Sequence, residues 1–272
     1  MAWRPPVSHL YRVPLNIRTY HDLTDADVSG LPEQIGAQRR RVAGRLARVD
    51  RVIAVMSGKG GVGKSFVTAH LARALGRGGR SAGVLDADLN GPTVARLLGA
   101  RGGPLTLEGD AVLPAVGADG VKVVSMDQLL EDGRPLAFRG PQTESFVWRG
   151  AMEAAALREF LSDVAWGPLE RLLVDLPPGL ARFAELADLL PTPPAVLTVT
   201  IPTPESRDAV RRALRAAVER RATALGIVEN MVGGPFPGDA GDALAAEFGV
   251  PVLARVPFHP PAEVWAELAT RL

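Results

Sequence analysis

The chain has 272 residues, 47% of them hydrophobic, with a formal net charge of +1 and no cysteine. That is enough apolar sequence to bury one large core, while the near-neutral charge gives no global field for nucleic acid or an anionic membrane. Without cysteine there is no disulfide, no thiolate metal site and no cysteine nucleophile.

Residues 1–30 show no periodic pattern and carry Pro5, Pro6, Pro14 and scattered arginines. This is expected to be neither a signal peptide nor a transit helix. From about Leu31 to Val49, the residues Ile35, Val42, Leu46 and Val49 fall on one helical stripe. Arg39, Arg40, Arg41, Arg45 and Arg48 take the other face. The plain reading of that face is solvation; a nucleic-acid or partner contact is the alternative. Residues 1–50 are therefore expected to be an N-terminal extension with a basic helix, and residues 51–272 a single domain. No run approaches the ~20 apolar residues of a membrane helix, so a soluble, cytoplasmic protein without a membrane span is expected.

Strands and helices then alternate. Val52–Met56 is a short apolar run ending in a Gly-rich turn, and Phe66–Leu75 is helical, with Val67, Leu71 and Leu75 four residues apart. Ala82–Leu85 ends at Asp86, Leu105–Pro114 with Gly109-Asp110 predicts a β-hairpin, and Val121–Ser125 is a strand. Leu172–Val174 ends at Asp175, and Ala195–Val199, Ala224–Val228 and Val250–Val256 follow, with a helix over Ser206–Arg221. Continuous rather than alternating apolar strands are covered on both faces, which predicts a mostly parallel sheet in a doubly wound α/β fold. The terminal stretch Ala262–Leu272 reads as a capping helix, its Glu263 and Glu267 being ill suited to an anionic membrane.

Gly58-Lys59-Gly60-Gly61-Val62-Gly63-Lys64-Ser65 fits G-x-x-x-x-G-K-[ST], with an apolar strand before it and an amphipathic helix after it. Glycines let successive backbone N–H groups turn inward as an anion nest, and the following helix adds its positive end. Lys64 is positioned for β- and γ-phosphate oxygens and the Ser65 hydroxyl for Mg²⁺. The expected nucleotide-binding residues are thus Gly58, Lys59, Gly60, Gly61, Val62, Gly63, Lys64, Ser65 and Phe66. Of 31 basic residues only Lys59, Lys64 and Lys122 are lysines. In an arginine-rich chain, two lysines within one loop mark places that need a compact ammonium. The chain has no N-K-x-D pattern for guanine, so ATP is the expected nucleotide. Asp86 and Asp175 close apolar strands, where an open α/β sheet delivers side chains to its ligand crevice, and Asp88 follows two residues on.

The run K-G-G-V-G-K-S resembles the signature of the MinD/ParA superfamily of P-loop ATPases. D-A-D-L-N-G-P-T at 86–93, W-R-G at 148–150, D-L-P-P-G at 175–179 and G-I-V-E-N-M at 226–231 resemble its Mrp/ApbC branch, whose members are linked to iron–sulfur cluster carriage. The resemblance covers roughly Val52 to Pro257. It implies a homodimer that sandwiches two ATP molecules through the nucleotide face, with Lys59 reaching the partner's phosphates. It also implies Asp86 and Asp175 near Mg²⁺, Asp88 near the attacking water and Asn230 at the adenine.

Two departures stand out. The branch usually carries Cys-x-x-Cys shortly after the E-N-M motif, whereas here Met231–Asp239 has none, so no iron–sulfur cluster is expected on this chain alone. After Gly179 the branch usually has Thr-Gly-Asp, whereas here Leu180-Ala181-Arg182 follows. His9, His21, His70 and His259 are scattered, which suits structural or surface roles. The reading is an Mrp-type ATPase acting on an unidentified client. The alternative is a MinD/ParA-like positioning ATPase that binds DNA or another surface when ATP-loaded.

Overall fold

Strand β1 (Val49–Ser57) runs up the middle of the molecule, and its neighbours show why its sequence is continuously apolar. Ile53 and Val55 pack into one hydrophobic layer, Ala54 and Met56 into another on the opposite face. A computed structural model describes residues 31–89, 91–101, 105–128, 145–234 and 240–272, without the side chains of 31, 32 and 145–152. The expectations for residues 1–30, His9, His21, Asn90, the W-R-G side chains and residues 235–239 lie outside the described residues.

The elements in chain order are α1 (Leu31–Leu46), β1, α2 (Lys64–Arg77), β2 (Ala82–Asp86), the short α3 (Val94–Leu97), β3 (Thr106–Glu108), β4 (Ala111–Leu113), β5 (Ala115–Val116) and β6 (Lys122–Ser125). They continue with α4 (Ser145–Asp163), β7 (Leu169–Asp175), α5 (Ala181–Leu189), β8 (Ala195–Thr200), α6 (Pro204–Glu219), β9 (Ala224–Val232), α7 (Ala240–Phe248), β10 (Val252–Pro257) and α8 (Ala262–Thr270). Among the described residues the main sheet has the order β10-β9-β8-β1-β7-β2-β6-β5. Every pair in it is parallel except β5 with β6. This is the expected doubly wound, mostly parallel α/β sheet.

One face of the sheet carries α2 and α8, through Val67, Leu71, Leu75, Trp265 and Leu268. The other buries Val42 and Leu46 of α1, Leu157 and Leu161 of α4, and Phe183 and Leu186 of α5. Each such side chain contributes about 1.5–3 kcal/mol on full burial. Residues 38–272 form one compact unit.

Two local expectations meet different outcomes. Leu105–Pro114 contains the expected hairpin, β3 against β4, with Leu107 opposite Val112 and Gly109 at φ 62° in the turn. Val49, expected on the helical stripe, instead opens β1 opposite Leu169. The spacing 42, 46, 49 suits a helix or a helix–turn–strand junction equally, and the pairing with β7 decides between them. The helix after the Gly-rich turn starts at Lys64, two residues before the apolar pattern does.

Helix α8 buries Trp265, Leu268 and Ala269; Arg80 holds its Ala269 carbonyl (3.0 Å) and Arg171 holds the carbonyl of Leu272 just beyond it (2.7 Å). Its apolar face is used inside the fold, as expected of a capping helix. Among the described residues no helix is long and apolar enough to cross a membrane.

Candidate nucleotide-binding site

The loop from Gly58 to Gly63 leaves the C-terminal end of β1, flanked by β7 and β8. Its glycines do different work. A Cβ on Gly58 would lie 2.3 Å from the Ala209 backbone carbon, so only glycine lets α6 close on the loop. A Cβ on Gly63 would lie 2.3 Å from Asn230 Nδ2, and Gly63 is also at φ 79°. Gly60 and Gly61 face open space, with nothing nearer than 3.9 Å to an added Cβ. The rim of the loop is therefore free for a ligand while its two ends are tightly packed. Helix α2 starts with no side-chain cap and no acidic residue in its first turn, which leaves backbone N–H groups for an anion.

Beneath the loop, three side chains converge on the buried Asp175 at the end of β7. Ser65 Oγ donates to Oδ2 at 2.6 Å, and the Thr68 hydroxyl lies 2.9 Å from both Oδ1 and Lys64 O. Lys64 is 6% exposed, and its ammonium lies 2.7 Å from Asp175 Oδ1. The ion pair is not aligned as a hydrogen bond, and the ammonium meets no other acceptor among the described residues. A buried cation with unmatched donors beside an uncapped helix start is suited to an anion such as a phosphate oxygen.

Asp86 stands next to Asp175 in register, on the adjacent strand β2. It accepts hydrogen bonds from Ser125 Oγ (3.1 Å) and from the backbone N–H groups of Thr93 (3.0 Å) and Val94 (3.1 Å). Burial, then the neighbouring Asp175 charge, push its carboxyl up to about 7. Two buried carboxylates with a serine hydroxyl form a hard oxygen donor set short of a full cage. Such a set fits Mg²⁺ completed by phosphate and water. Among the described residues no three His, Asp or Glu side chains form a metal cluster. Asp88 lies further out: its N–H donates to Asp86 Oδ1 and its Oδ1 accepts from Gly91 N–H, both at 3.3 Å.

Lys59 is half-buried, its carbonyl takes the Ser57 hydroxyl at 3.0 Å, and its ammonium makes no ion pair among the described residues. Asn230, 3% exposed, donates from Nδ2 to Val62 O at 2.9 Å, so the structure ties it to the underside of the loop. Met231 after it is left-handed, at φ 60°, a costly position for a non-glycine residue. The segment after Asp175 also reaches the loop, with Pro178 Cγ 3.9 Å from the Gly60 Cβ position. In place of the branch's usual Thr-Gly-Asp, Arg182 of α5 grips Glu153 of α4 (2.7 Å) and pairs with Glu185.

Sequence reasoning missed Thr68, Ser125 and Arg182. Thr68 lies one turn beyond Ser65 on the same helix face, and Ser125 ends a strand as Asp86 does, so both had a faint local signal. Arg182 had none, because its partner Glu153 comes from another helix. A groove of about 760 Å³ between α2 and α8, lined by Phe66, His70 and Trp265, contains none of the loop glycines. Its Arg73 and Arg77 share Asp119 and its Arg80 pairs with Glu170.

A family model described as ParA, NUBPL iron-transfer P-loop NTPase, matches residues 48–270. The iron–sulfur cluster carrier protein of Saccharolobus solfataricus is 38% identical over 246 residues, 86% of this chain and 80% of that protein. The human cytosolic Fe–S cluster assembly factor NUBP2 is 39% identical over 232 residues, 80% of this chain and 82% of that protein. Among solved structures, a nucleotide-binding protein of Archaeoglobus fulgidus in complex with ADP superposes with a TM-score of 0.68 at 30% identity, covering 86% of this chain and 92% of its own. The septum site-determining protein MinD of Pyrococcus horikoshii, complexed with Mg-ADP, shares the fold at a TM-score of 0.55 and 21% identity, covering 80% of this chain and 94% of its own.

Proposed function

The chain belongs to the ParA family of NUBPL-type iron-transfer P-loop NTPases, and on that premise we propose that it is a Mg²⁺-dependent ATPase serving a client protein in iron–sulfur cluster assembly. The observation that carries this reading is the convergence of Lys64, Ser65 and Thr68 on Asp175 beneath an open glycine loop. In this reading the loop N–H groups and Lys64 hold the nucleotide phosphates, and the nucleotide chemistry resides in residues 51–272. Residues 1–50 are an N-terminal extension to that domain.

Ser65, Asp86 and Asp175 are the residues to hold Mg²⁺, which on binding neutralises charge building up on the transferred phosphoryl group. Asp88 orients the attacking water. Lys59 has no ion pair among the described residues and acts across an ATP-sandwich homodimer, where a cation placed near the partner's phosphates stabilises the transition state. Asn230 steadies the loop from below while lying next to the expected adenine position. The cytosolic setting in the name of the human relative favours a cytoplasmic location.

The relatives' names speak of iron–sulfur clusters, yet these 272 residues contain no cysteine. Thiolates are the usual protein ligands of such clusters. The cluster is therefore cargo whose thiolates come from the client, and this chain supplies the nucleotide-driven step. Thermal melting with Mg-ATP tests the nucleotide half: ligand at about 100 times its dissociation constant adds ~2.7 kcal/mol. No shift at millimolar Mg-ATP would refute it, and an equal shift with GTP would refute the preference for ATP. Anaerobic reconstitution tests the other half, with no iron or sulfide expected to survive desalting of this chain alone.

A further inference from the structure

We propose that the arginine-lined face of α1, continued onto the start of β1, docks an acidic segment of a partner protein. The start of β1, where this surface ends, is the opposite end of that strand from the phosphate loop, about 30 Å away at the rise of a nine-residue strand. Docking there need not compete with nucleotide.

Arg39, Arg40, Arg41, Arg48 and Arg51 are all exposed, and among the described residues none of them has an ion pair. Arg45, on the same helix, is engaged: its Nε donates to Ser162 O at 3.2 Å and its guanidinium pairs with Asp110. Elsewhere on the surface Arg211 pairs with Glu247 and Asp208, and Arg255 with Asp242, while the exposed Arg96, Arg212 and Arg221 stand singly without an ion pair among the described residues. Asp50 is the one acid within this stretch of chain.

The cations are also crowded. Arg51 and Arg171 stand side by side on β1 and β7, a like-charge neighbour pair that costs stability. Burial, and after it repulsion from Arg80 and Arg51, weaken the hold of Arg171 on its proton, while burial and then Arg48 do the same at Lys122. An added carboxylate relieves this repulsion.

Gly44 supplies an independent observation. It is exposed on α1 between Arg41 and Arg48, and a Cβ placed on it meets nothing within 4 Å. Packing inside the chain does not require glycine there, and glycine within a helix costs about 1 kcal/mol relative to alanine. It leaves a flat spot where a partner backbone can approach between the flanking arginines.

The features favour a peptide over nucleic acid. From Arg39 to Arg51 there is no aromatic residue on which bases could stack. The net charge of +1 gives no field to draw a long polyanion. From Arg40 to Arg48 the surface runs about 12 Å, the length of roughly four extended residues.

The test uses the full chain and a fluorescein-labelled peptide of about ten glutamates, followed by anisotropy at about 50 and 200 mM salt. Binding is expected that weakens about tenfold or more at the higher salt. It should weaken at least about tenfold in the variant Arg40→Glu, Arg41→Glu, Arg48→Glu, whose Mg-ATP melting shift should match the parent's. Gly44→Gln, which favours the helix but fills the flat spot, should weaken peptide binding severalfold, and it carries the test if the triple variant does not fold. Absence of binding at low salt, equal binding by the variants, or tighter binding of a short DNA duplex or of phosphatidylserine vesicles would overturn the proposal.

Discussion

Asn230 reaches back 168 residues to hold the phosphate loop, its Nδ2 donating to the carbonyl of Val62 at 2.9 Å in a buried position. Because a side chain on Gly63 would collide with that same nitrogen, loop and clamp are matched to each other.

Replacing Asn230 by alanine strands the Val62 carbonyl, at about 1–3 kcal/mol for an unsatisfied buried acceptor. For a domain of this size each kcal/mol lowers the melting temperature by about 2–4 °C. ATP and ADP should both bind more weakly, by similar factors, because the loop serves either. Calorimetric titration of the two nucleotides checks this. Loss confined to the base, seen as weaker ATP binding with unchanged binding of inorganic triphosphate, would assign Asn230 to adenine alone.

Asp86 predicts a pH dependence. Unfolded, it ionises near 4; folded, burial and Asp175 hold its carboxyl at about 7. Between these values the folded chain keeps the extra proton. The contribution of Asp86 to stability is therefore greatest below about 4 and is lost as pH rises through about 7. Without Mg²⁺ the melting temperature should fall between about pH 4 and 7 and level off above that, and the fall should shrink in Asp86→Asn. Mg²⁺ competes with this proton, so stabilisation by Mg-ATP should be larger at the higher pH. Identical pH slopes for parent and variant would count against the assignment.

The two loop lysines should separate. Lys64→Ala removes the buried ammonium beside Asp175 and should weaken nucleotide binding itself. Lys59→Ala should leave monomer binding largely intact while weakening ATP-dependent dimerisation and slowing turnover, by up to ~10³-fold if its charge stabilises the transition state. Lys59→Arg should not restore activity, a planar fork being a poor substitute for a point charge. Light scattering with ATP and phosphate release are the measurements; a Lys59→Ala variant indistinguishable from the parent would make Lys59 a surface residue.

Arg182 ties α5 to α4 through Glu153, both side chains being nearly buried. Arg182→Ala should cost about 1–3 kcal/mol, as for charged hydrogen bonds left unmade. It should also loosen the Asp175–Gly179 segment, raising hydrogen exchange along α5 with little change along α6.

The glycine loop, the strand-end aspartates and the parallel sheet were legible because each leaves a local mark. Gly58–Ser65 is contiguous, Asp86 and Asp175 end apolar runs, and a strand such as Ile53–Met56, buried on both faces, cannot alternate polar residues. Less legible was whatever depends on two distant segments meeting. Nothing near Asn230 announces Val62, and nothing near Arg182 announces Glu153. Val49 was ambiguous for a different reason, its spacing from Leu46 serving a helix or the start of a strand until Leu169 pairs with it.

The steric closure around Gly58 and Gly63 has a kinetic consequence. With α6 against one end of the loop and Asn230 against the other, the cradle is already shaped before any phosphate arrives. Nucleotide entry then requires no loop ordering step, and stopped-flow traces should be single-exponential with rates that rise linearly with ligand concentration. Conformational gating should be confined to later events that depend on the segment after Asp175.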